Sequence, residues 1–421
     1  MTGTRGITGT QWKIITGSFL VYMCTNGVLI YVLPLLYPAL MREHGWSGEQ
    51  VTSPAALFFL CSSVLLPAAG WIFDRFPVRR VMAIGAVLQC IGLVMFANLV
   101  SLGTLTVAYL VLSLSIALCG MVASMVLLTR WFTANRGVAI SITLMGASIG
   151  GAVFPLLLGW LTELYNWSSA LLIIAALAGA ILFGTISFLL RERPEQDAAP
   201  ATAPAGAPAA MAPAAGLTLR QAVRTPTFYL LALTTAVVWF LVVGLSQHQA
   251  IYLANEVGVA ERVLPLIFSL FFWCALVGKI VFGWISDRCN KLLTMCGSFV
   301  VMAVGLVMLR LASAEQPLFV YGFAVLFGFG FSGAFTMIQI VLAQFYQGRD
   351  YGKLLGIFTM MDTLAGGIGI RVIGAMQSNS GSYNSAIMMT LVLALFSIVS
   401  TVALHWLHRN EVSATPVPQR S

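Results

Sequence analysis

The chain reads as an all-α membrane protein in which twelve transmembrane helices form two pseudo-symmetric six-helix bundles. Three observations predict this fold: a strongly apolar composition, twelve apolar runs of spanning length, and an internal repeat that carries the first half onto the second. Of 421 residues, 59% are hydrophobic and 9% charged, against about 25% charged in a soluble domain. That balance excludes a water-soluble fold. A helix needs about 20 apolar residues to cross a hydrocarbon core of about 30 Å, so the chain has room for a dozen crossings and their connections.

Apolar runs bounded by charged or turn-forming residues fall at 13–37, 52–73, 81–100, 104–128, 137–162 and 168–190, then at 228–254, 263–285, 292–312, 317–343, 353–376 and 384–407. The first run is too long for a signal-peptide core and no small-residue cleavage site follows it, so it is taken as a span. Between the two sets lies RERPEQDAAPATAPAGAPAAMAPAAG, Arg191 to Gly216. Its Ala/Pro composition offers no apolar face to bury and favours extended chain. The expected organisation is an N-terminal half (1–190), a cytoplasmic linker (191–225) and a C-terminal half (226–421).

The formal charge is +8, yet the basic residues sit in short runs between apolar segments rather than along a solvated stripe, which argues against nucleic acid. They read instead as topology signals. With both termini inside, seventeen of the 22 Lys and Arg residues fall in cytoplasmic segments and three (Arg42, Arg262 and Arg310) outside. Lys279 and Arg371 fall within spans. Basic residues resist translocation, so this bias places both termini in the cytoplasm, and a bacterial inner membrane is the expected location. The seven cysteines lie singly, without metal-ligand spacing. His44, His248, His405 and His408 are scattered, and no zinc-protease, phosphate-loop or serine-elbow motif occurs in usable context. Neither an enzyme nor a cofactor is expected. A transporter-like sensor is not expected either, since spans and linker use up the chain.

Self-similarity supplies the third observation. GWIFDR (Gly70 to Arg75) and GWISDR (Gly283 to Arg288) agree at five of six positions, with Asp74 and Asp287 213 residues apart. Arg136 in RWFTANRG and Arg349 in QFYQGRDYG keep the same offset. Gly150 and Gly151 then find Gly366 and Gly367 at an offset of 216, as Ser169 and Ala170 find Ser385 and Ala386. Six spans separate the copies, so both halves share one topology and the pathway is expected between them.

GWIFDRFPVRR and its echo GWISDRCNK resemble the loop signature of the major facilitator superfamily, and the resemblance implies the major facilitator fold and alternating access. An Asp beside Arg at a cytoplasmic helix end can hold a cation in one conformation and release it in another. Asp74, Arg75, Asp287 and Arg288 are therefore gate candidates, with Arg130, Arg136 and Arg349 as candidate partners. RWFTANRGVAISITLMGASIGGAVFPLLLGWL (Arg130 to Leu161) and RDYGKLLGI (Arg349 to Ile357) resemble the monocarboxylate porters and their oxalate/formate antiporter-like relatives.

An ionisable side chain deep in a span costs about 2.5 to 3.5 kcal/mol, so it should face a cavity or a partner. Lys279 lies eight residues before Asp287, about 12 Å in from the cytoplasmic end of its span. The resemblance puts a carboxylate-binding Arg at this place; Lys keeps the charge but not the planar fork. Asp362 is the one acidic residue placed inside the bilayer, and pairing with Lys279 would let a proton on Asp362 free that cation for an anion. Arg371, nearer the other end of the same span, and His248, in GLSQHQAIY, are further candidates, as are Asn26, Tyr31 and Gln339. Two departures bear on substrate: Ala275 stands where the porters often carry an acid, and Phe358 where the antiporter-like relatives carry a Lys. With one cation fewer, a dianion is disfavoured. A monomeric, proton-coupled transporter of a small monocarboxylate-like anion is expected in the lipid bilayer; the alternative is a larger amphipathic substrate such as an aromatic acid, a peptide fragment or a drug.

Overall fold

The structure is a computed structural model that describes residues 7–132, 135–191, 219–346 and 351–414. Most of the expected linker, together with Arg349, lies outside the described residues. Among the described residues, twelve helices are long and apolar enough to cross a membrane, six on each side of that linker. They are Gly9–His44, Gly48–Arg75, Val78–Ala97, Leu102–Trp131, Gly137–Leu164 and Trp167–Leu189, then Pro226–Asn255, Glu261–Ser286, Lys291–Leu311, Pro317–Tyr346, Lys353–Ser380 and Asn384–Leu407, numbered here spans 1 to 12.

Local sequence explains where these helices begin. Thr8 and Gln11 form a reciprocal capping box at the start of span 1, and Ser47 with Gln50 repeats it at span 2. The side chains of Ser101, Asn166 and Asn290 each accept from a first-turn amide of spans 4, 6 and 9. Each cap satisfies amides that the helix itself leaves orphaned.

Span 1 runs past the expected Tyr37 to His44. Its prolines do not end it, because a π turn at Gly27–Val32 and a 3-10 turn at Leu33–Leu36 absorb Pro34 and the approach to Pro38. The extra turns carry Arg42 and His44 in the last turn, where the carbonyl end of the helix favours a cation. Gly45 then closes the helix with φ +70°, and Gly258, 213 residues on, has φ +82° between spans 7 and 8. The left-handed backbone at both points is open to glycine without strain. The repeat register thus extends into the turns opposite the signature loops.

The chain divides into two compact units, Met1–Pro208 with Ser246–Trp273, and Ala209–Leu245 with Cys274–Ser421. The later part of span 7 and the early part of span 8 therefore belong to the first unit. In that unit spans 1 and 5 touch backbone to backbone: a Cβ at Gly27 would stand 2.8 Å from Gly150 Cα. In the second unit spans 7 and 11 do the same, a Cβ at Gly244 standing 2.9 Å from the Gly369 carbonyl carbon. Small residues permit this approach, and between apolar helices in lipid such contact replaces the hydrophobic drive available in water.

Candidate functional site

The signature loops come first, because they are repeated. Arg75 lies over the Trp71 ring at 3.8 Å, and Arg288 over Trp284 at 4.0 Å, each one helical turn along. Both guanidinium groups are thereby held against their own helix by cation–π attraction. Asp74 and Asp287 are exposed, and among the described residues neither makes an ion pair. Arg130 donates to the Phe73 carbonyl at 2.6 Å, one residue before Asp74. Arg136 opens a helix that runs to Leu164; its side chain, like Arg349, lies outside the described residues.

Within the second unit the structure gathers a chain of groups around the two intramembrane charges. Asp362 in span 11 is 6% exposed, and its Oδ1 has no hydrogen-bond partner. The Thr235 hydroxyl of span 7 approaches the same carboxyl. One turn along span 7, Trp239 meets Phe335 of span 10 edge to face, with ring centroids 5.9 Å apart. Over that Phe335 ring, 5.4 Å from its centroid, stands the ammonium of Lys279 from span 8. Asp362 and Lys279 are thus linked through Thr235, Trp239 and Phe335, and Asp362 Oδ1 takes no part in the expected direct pair. A buried carboxyl oxygen without a donor is an expensive vacancy, of the kind that a proton or a ligand fills. Gln339 is half-buried in span 10, and Arg371 is exposed near the far end of span 11.

The first unit holds the other candidates. Asn26 is buried and donates to the Tyr22 carbonyl of its own helix at 3.4 Å. Tyr31 sits in the π turn with its ring 4.0 Å from that of Phe272. Such turns recur at functional sites. His248 is fully buried in span 7. Beside it the structure shows a polar cluster that sequence reasoning missed. The hydroxyls of Tyr37 (span 1) and Tyr109 (span 4) lie 2.5 Å apart, Tyr37 donates to Gln247 Oε1 at 3.1 Å, and Gln247 Nε2 donates to the Ile30 carbonyl at 3.3 Å. All three side chains are at most 2% exposed. Farther along, Arg42 forms a two-pronged ion pair with Glu261 at the start of span 8, and the Trp167 indole donates to Glu43.

Residues 14–252 and 249–421 match the family model of the Major Facilitator Superfamily. The chain belongs to this superfamily. It is accordingly a multi-pass membrane transporter and not an enzyme. Monocarboxylate transporter 12-B of Danio rerio is 24% identical over 94% of this chain and 86% of its own length. The fosmidomycin resistance protein of Escherichia coli (strain K12) is also 24% identical, over 87% of each chain. A bacterial homolog of the human lysosomal transporter Spinster, solved inward-facing and occupied, matches at a TM-score of 0.73 and 15% identity. The match covers 98% of this chain and 100% of that one, a likeness of fold.

The residues missed in this major facilitator chain, Gln247 apart, share one property: their polar atoms sit on aromatic or short side chains inside apolar runs. Tyr37, Tyr109, Thr235 and Trp239 read in sequence as ordinary span residues. The signal available was local, since Gln247 stands next to His248 in the most polar stretch of its span.

Proposed function

We propose that this transporter carries a small monocarboxylate-like organic anion, coupled to a proton, by alternating access between its two six-helix halves. The observation that carries the reading is the pairing, inside the spans of one unit, of a buried carboxyl with an unpartnered oxygen and a cation held over an aromatic ring. Charge balance turns this arrangement into a mechanism. With Asp362 ionised and Lys279 charged, the empty site is neutral. A substrate carboxylate on Lys279 alone would make it negative, and a proton on Asp362 alone would make it positive. Only the two together restore neutrality, and an uncompensated charge at mid-membrane costs about 2.5 to 3.5 kcal/mol. Anion and proton therefore cross together, one for one, while the empty return carries no net charge.

The gates follow from the same geometry. The Tyr37, Tyr109 and Gln247 cluster and the Arg42–Glu261 pair fasten spans 1, 4, 7 and 8 at the ends away from the signature loops, which the charge bias makes the outer ends. On this reading these contacts form an outer latch, and Asp74 and Asp287 belong to an inner gate. Both termini are cytoplasmic on this reading, the membrane is a bacterial inner membrane, the linker 191–225 joins the halves, and the working unit is a monomer. His248, Asn26, Tyr31, Gln339 and Arg371 are assigned to the pathway. The Trp239–Phe335 pair beside Lys279 favours, as a second reading, an acid with an aromatic or otherwise bulky apolar body.

Reconstitution in liposomes tests the proposal. Wild type and Lys279→Ala are given lactate, pyruvate, formate, oxalate, aromatic acids and short peptides, with and without an inward proton gradient. Accumulation of a monocarboxylate only with the gradient, unaffected by an imposed potassium diffusion potential and lost in Lys279→Ala, is the expected result. Carboxylate uptake that follows the membrane potential, or that survives Lys279→Ala, overturns it.

A further inference from the structure

We propose that the cytoplasmic-side cleft between spans 8 and 9 is a seat for an anionic phospholipid, one acyl chain lying in the cleft and the headgroup phosphate on Arg288 and Lys291. The sidedness rests on the charge bias above; the chemistry does not.

The cleft has a volume of about 400 Å³ and is lined by Phe282 and Ile285 of span 8, Cys289 and Asn290 of the turn, and Leu293, Thr294 and Gly297 of span 9. Its origin is legible in the repeat. At an offset of 213, Phe76 and Ile84 of the first half correspond to Cys289 and Gly297 of the second. Phe76 and Ile84 are each 56% exposed, so in the first half bulky side chains project from these places. The second half replaces an aromatic ring by a thiol and a branched chain by a hydrogen. A Cβ built at Gly297 would meet nothing within 4 Å. The cleft thus coincides with two places where the second half carries smaller side chains than the first.

Three features select the occupant. The lining is almost wholly apolar, which suits a hydrocarbon chain and not a soluble anion. Leu293 of the lining is 55% exposed and Trp284 of span 8 is 57% exposed, so both spans present apolar side chains at their surface where a membrane would lie. Arg288 and Lys291 stand in sequence on either side of the lining residues Cys289 and Asn290, two cations against the single carboxylate of Asp287, and the Arg288 guanidinium lies over Trp284 and donates to its carbonyl at 3.2 Å. The first-turn amides of span 9 are already used, since Asn290 Oδ1 accepts from Leu292 and Leu293. The headgroup is therefore gripped by the two side chains. Interfacial cations attract anionic lipid, each strengthening binding by about fivefold.

The test is native mass spectrometry of the detergent-purified full chain, titrated with palmitoyl-oleoyl phosphatidylglycerol or with the phosphatidylcholine of the same chains. Wild type is expected to bind phosphatidylglycerol more tightly. Arg288→Gln with Lys291→Gln abolishes that preference while leaving the chain seat. Gly297→Leu, which fills the cleft, reduces binding of both lipids and leaves the melting temperature in pure detergent unchanged. Glycerol phosphate added at the same concentration does not displace the bound lipid. Equal binding of the two lipids by wild type overturns the proposal, as does lipid binding that Gly297→Leu leaves intact. Complete displacement by glycerol phosphate, which would show an anion site without a chain seat, also overturns it.

Discussion

Replacing Tyr37 by Phe removes one oxygen from the most buried polar cluster of the first unit, and its effect can be worked from the geometry. The hydroxyl accepts from Tyr109 at 2.5 Å and donates to Gln247 Oε1 at 3.1 Å. Phe fills the same space, so packing is kept and both bonds are lost. Tyr109 Oη and Gln247 Oε1 then remain buried without these partners, each at about 1 to 3 kcal/mol. Gln247 keeps its bond to the Ile30 carbonyl, which fixes its orientation and stops it from turning toward a new donor. When the outer ends separate, water reaches both orphans, so the penalty of at least about 2 kcal/mol falls on the closed arrangement alone. The closed-to-open ratio should drop about 30-fold or more, since each 1.4 kcal/mol is a factor of ten. Spin labels on Ser47→Cys and Ala260→Cys, with the native cysteines replaced by Ser, report this as a longer-distance population in pulsed dipolar measurements. Tyr37→Phe with Tyr109→Phe removes one orphan and should recover part of the short distance. A distance distribution identical to wild type in Tyr37→Phe refutes the latch.

Three further outcomes are expected. Asp362→Asn keeps the shape of the carboxyl but cannot exchange a proton, so gradient-driven accumulation should vanish while exchange of labelled for unlabelled substrate persists; loss of both in a folded protein would remove Asp362 from coupling. Gly369→Val drives a branched side chain into the Phe240 carbonyl across the span 7 and 11 contact, and overpacking of about 1 to 3 kcal/mol should lower the melting temperature and the monodisperse fraction. Arg42→Glu breaks the ion pair with Glu261, but side-chain exposures of 67% and 38% limit its worth to about 1 kcal/mol or less. Transport should therefore change by no more than about fivefold, with the difference fading at high salt and Glu261→Arg restoring the wild-type rate.

How much of this was legible in the sequence depended on which physical signal each feature leaves. Spans leave a strong one, because every residue of a crossing must satisfy the bilayer, and all twelve emerge within a few residues of their observed positions. The end of span 1 is an exception: the apolar run is expected to end at Tyr37, yet π and 3-10 turns carry the helix past its prolines to His44. Facing leaves almost no signal, since helices apolar on every side have no moment to orient them. Lys279 and Asp362 stood out by charge alone. The Thr235, Trp239 and Phe335 link between them did not, because threonine and aromatic rings are unremarkable in a span. Tyr37, Tyr109 and Gln247 come from three separate spans, and only the fold brings their polar tips together.

The two copies of the repeat offer a sharper way to read such a chain, by contrast rather than by likeness. Where the copies agree, the shared residues build the frame: Trp71 with Arg75 and Trp284 with Arg288 in the signature loops, Gly45 and Gly258 at the opposite turns. At three positions where they disagree, the second copy carries an ionisable residue. Lys279 corresponds to Leu66, Asp362 to Gly146 at the later offset, and His248 to Leu35. Gly146 cannot bear a side chain, because a Cβ there would meet the Phe19 backbone, so the first half could not host the carboxyl without moving apart. The lipid cleft obeys the same rule in reverse, with Phe76 and Ile84 reduced to Cys289 and Gly297. Lys279, Asp362 and the cleft at Gly297 all lie in the second unit, so within the described residues these departures from the repeat gather in one half.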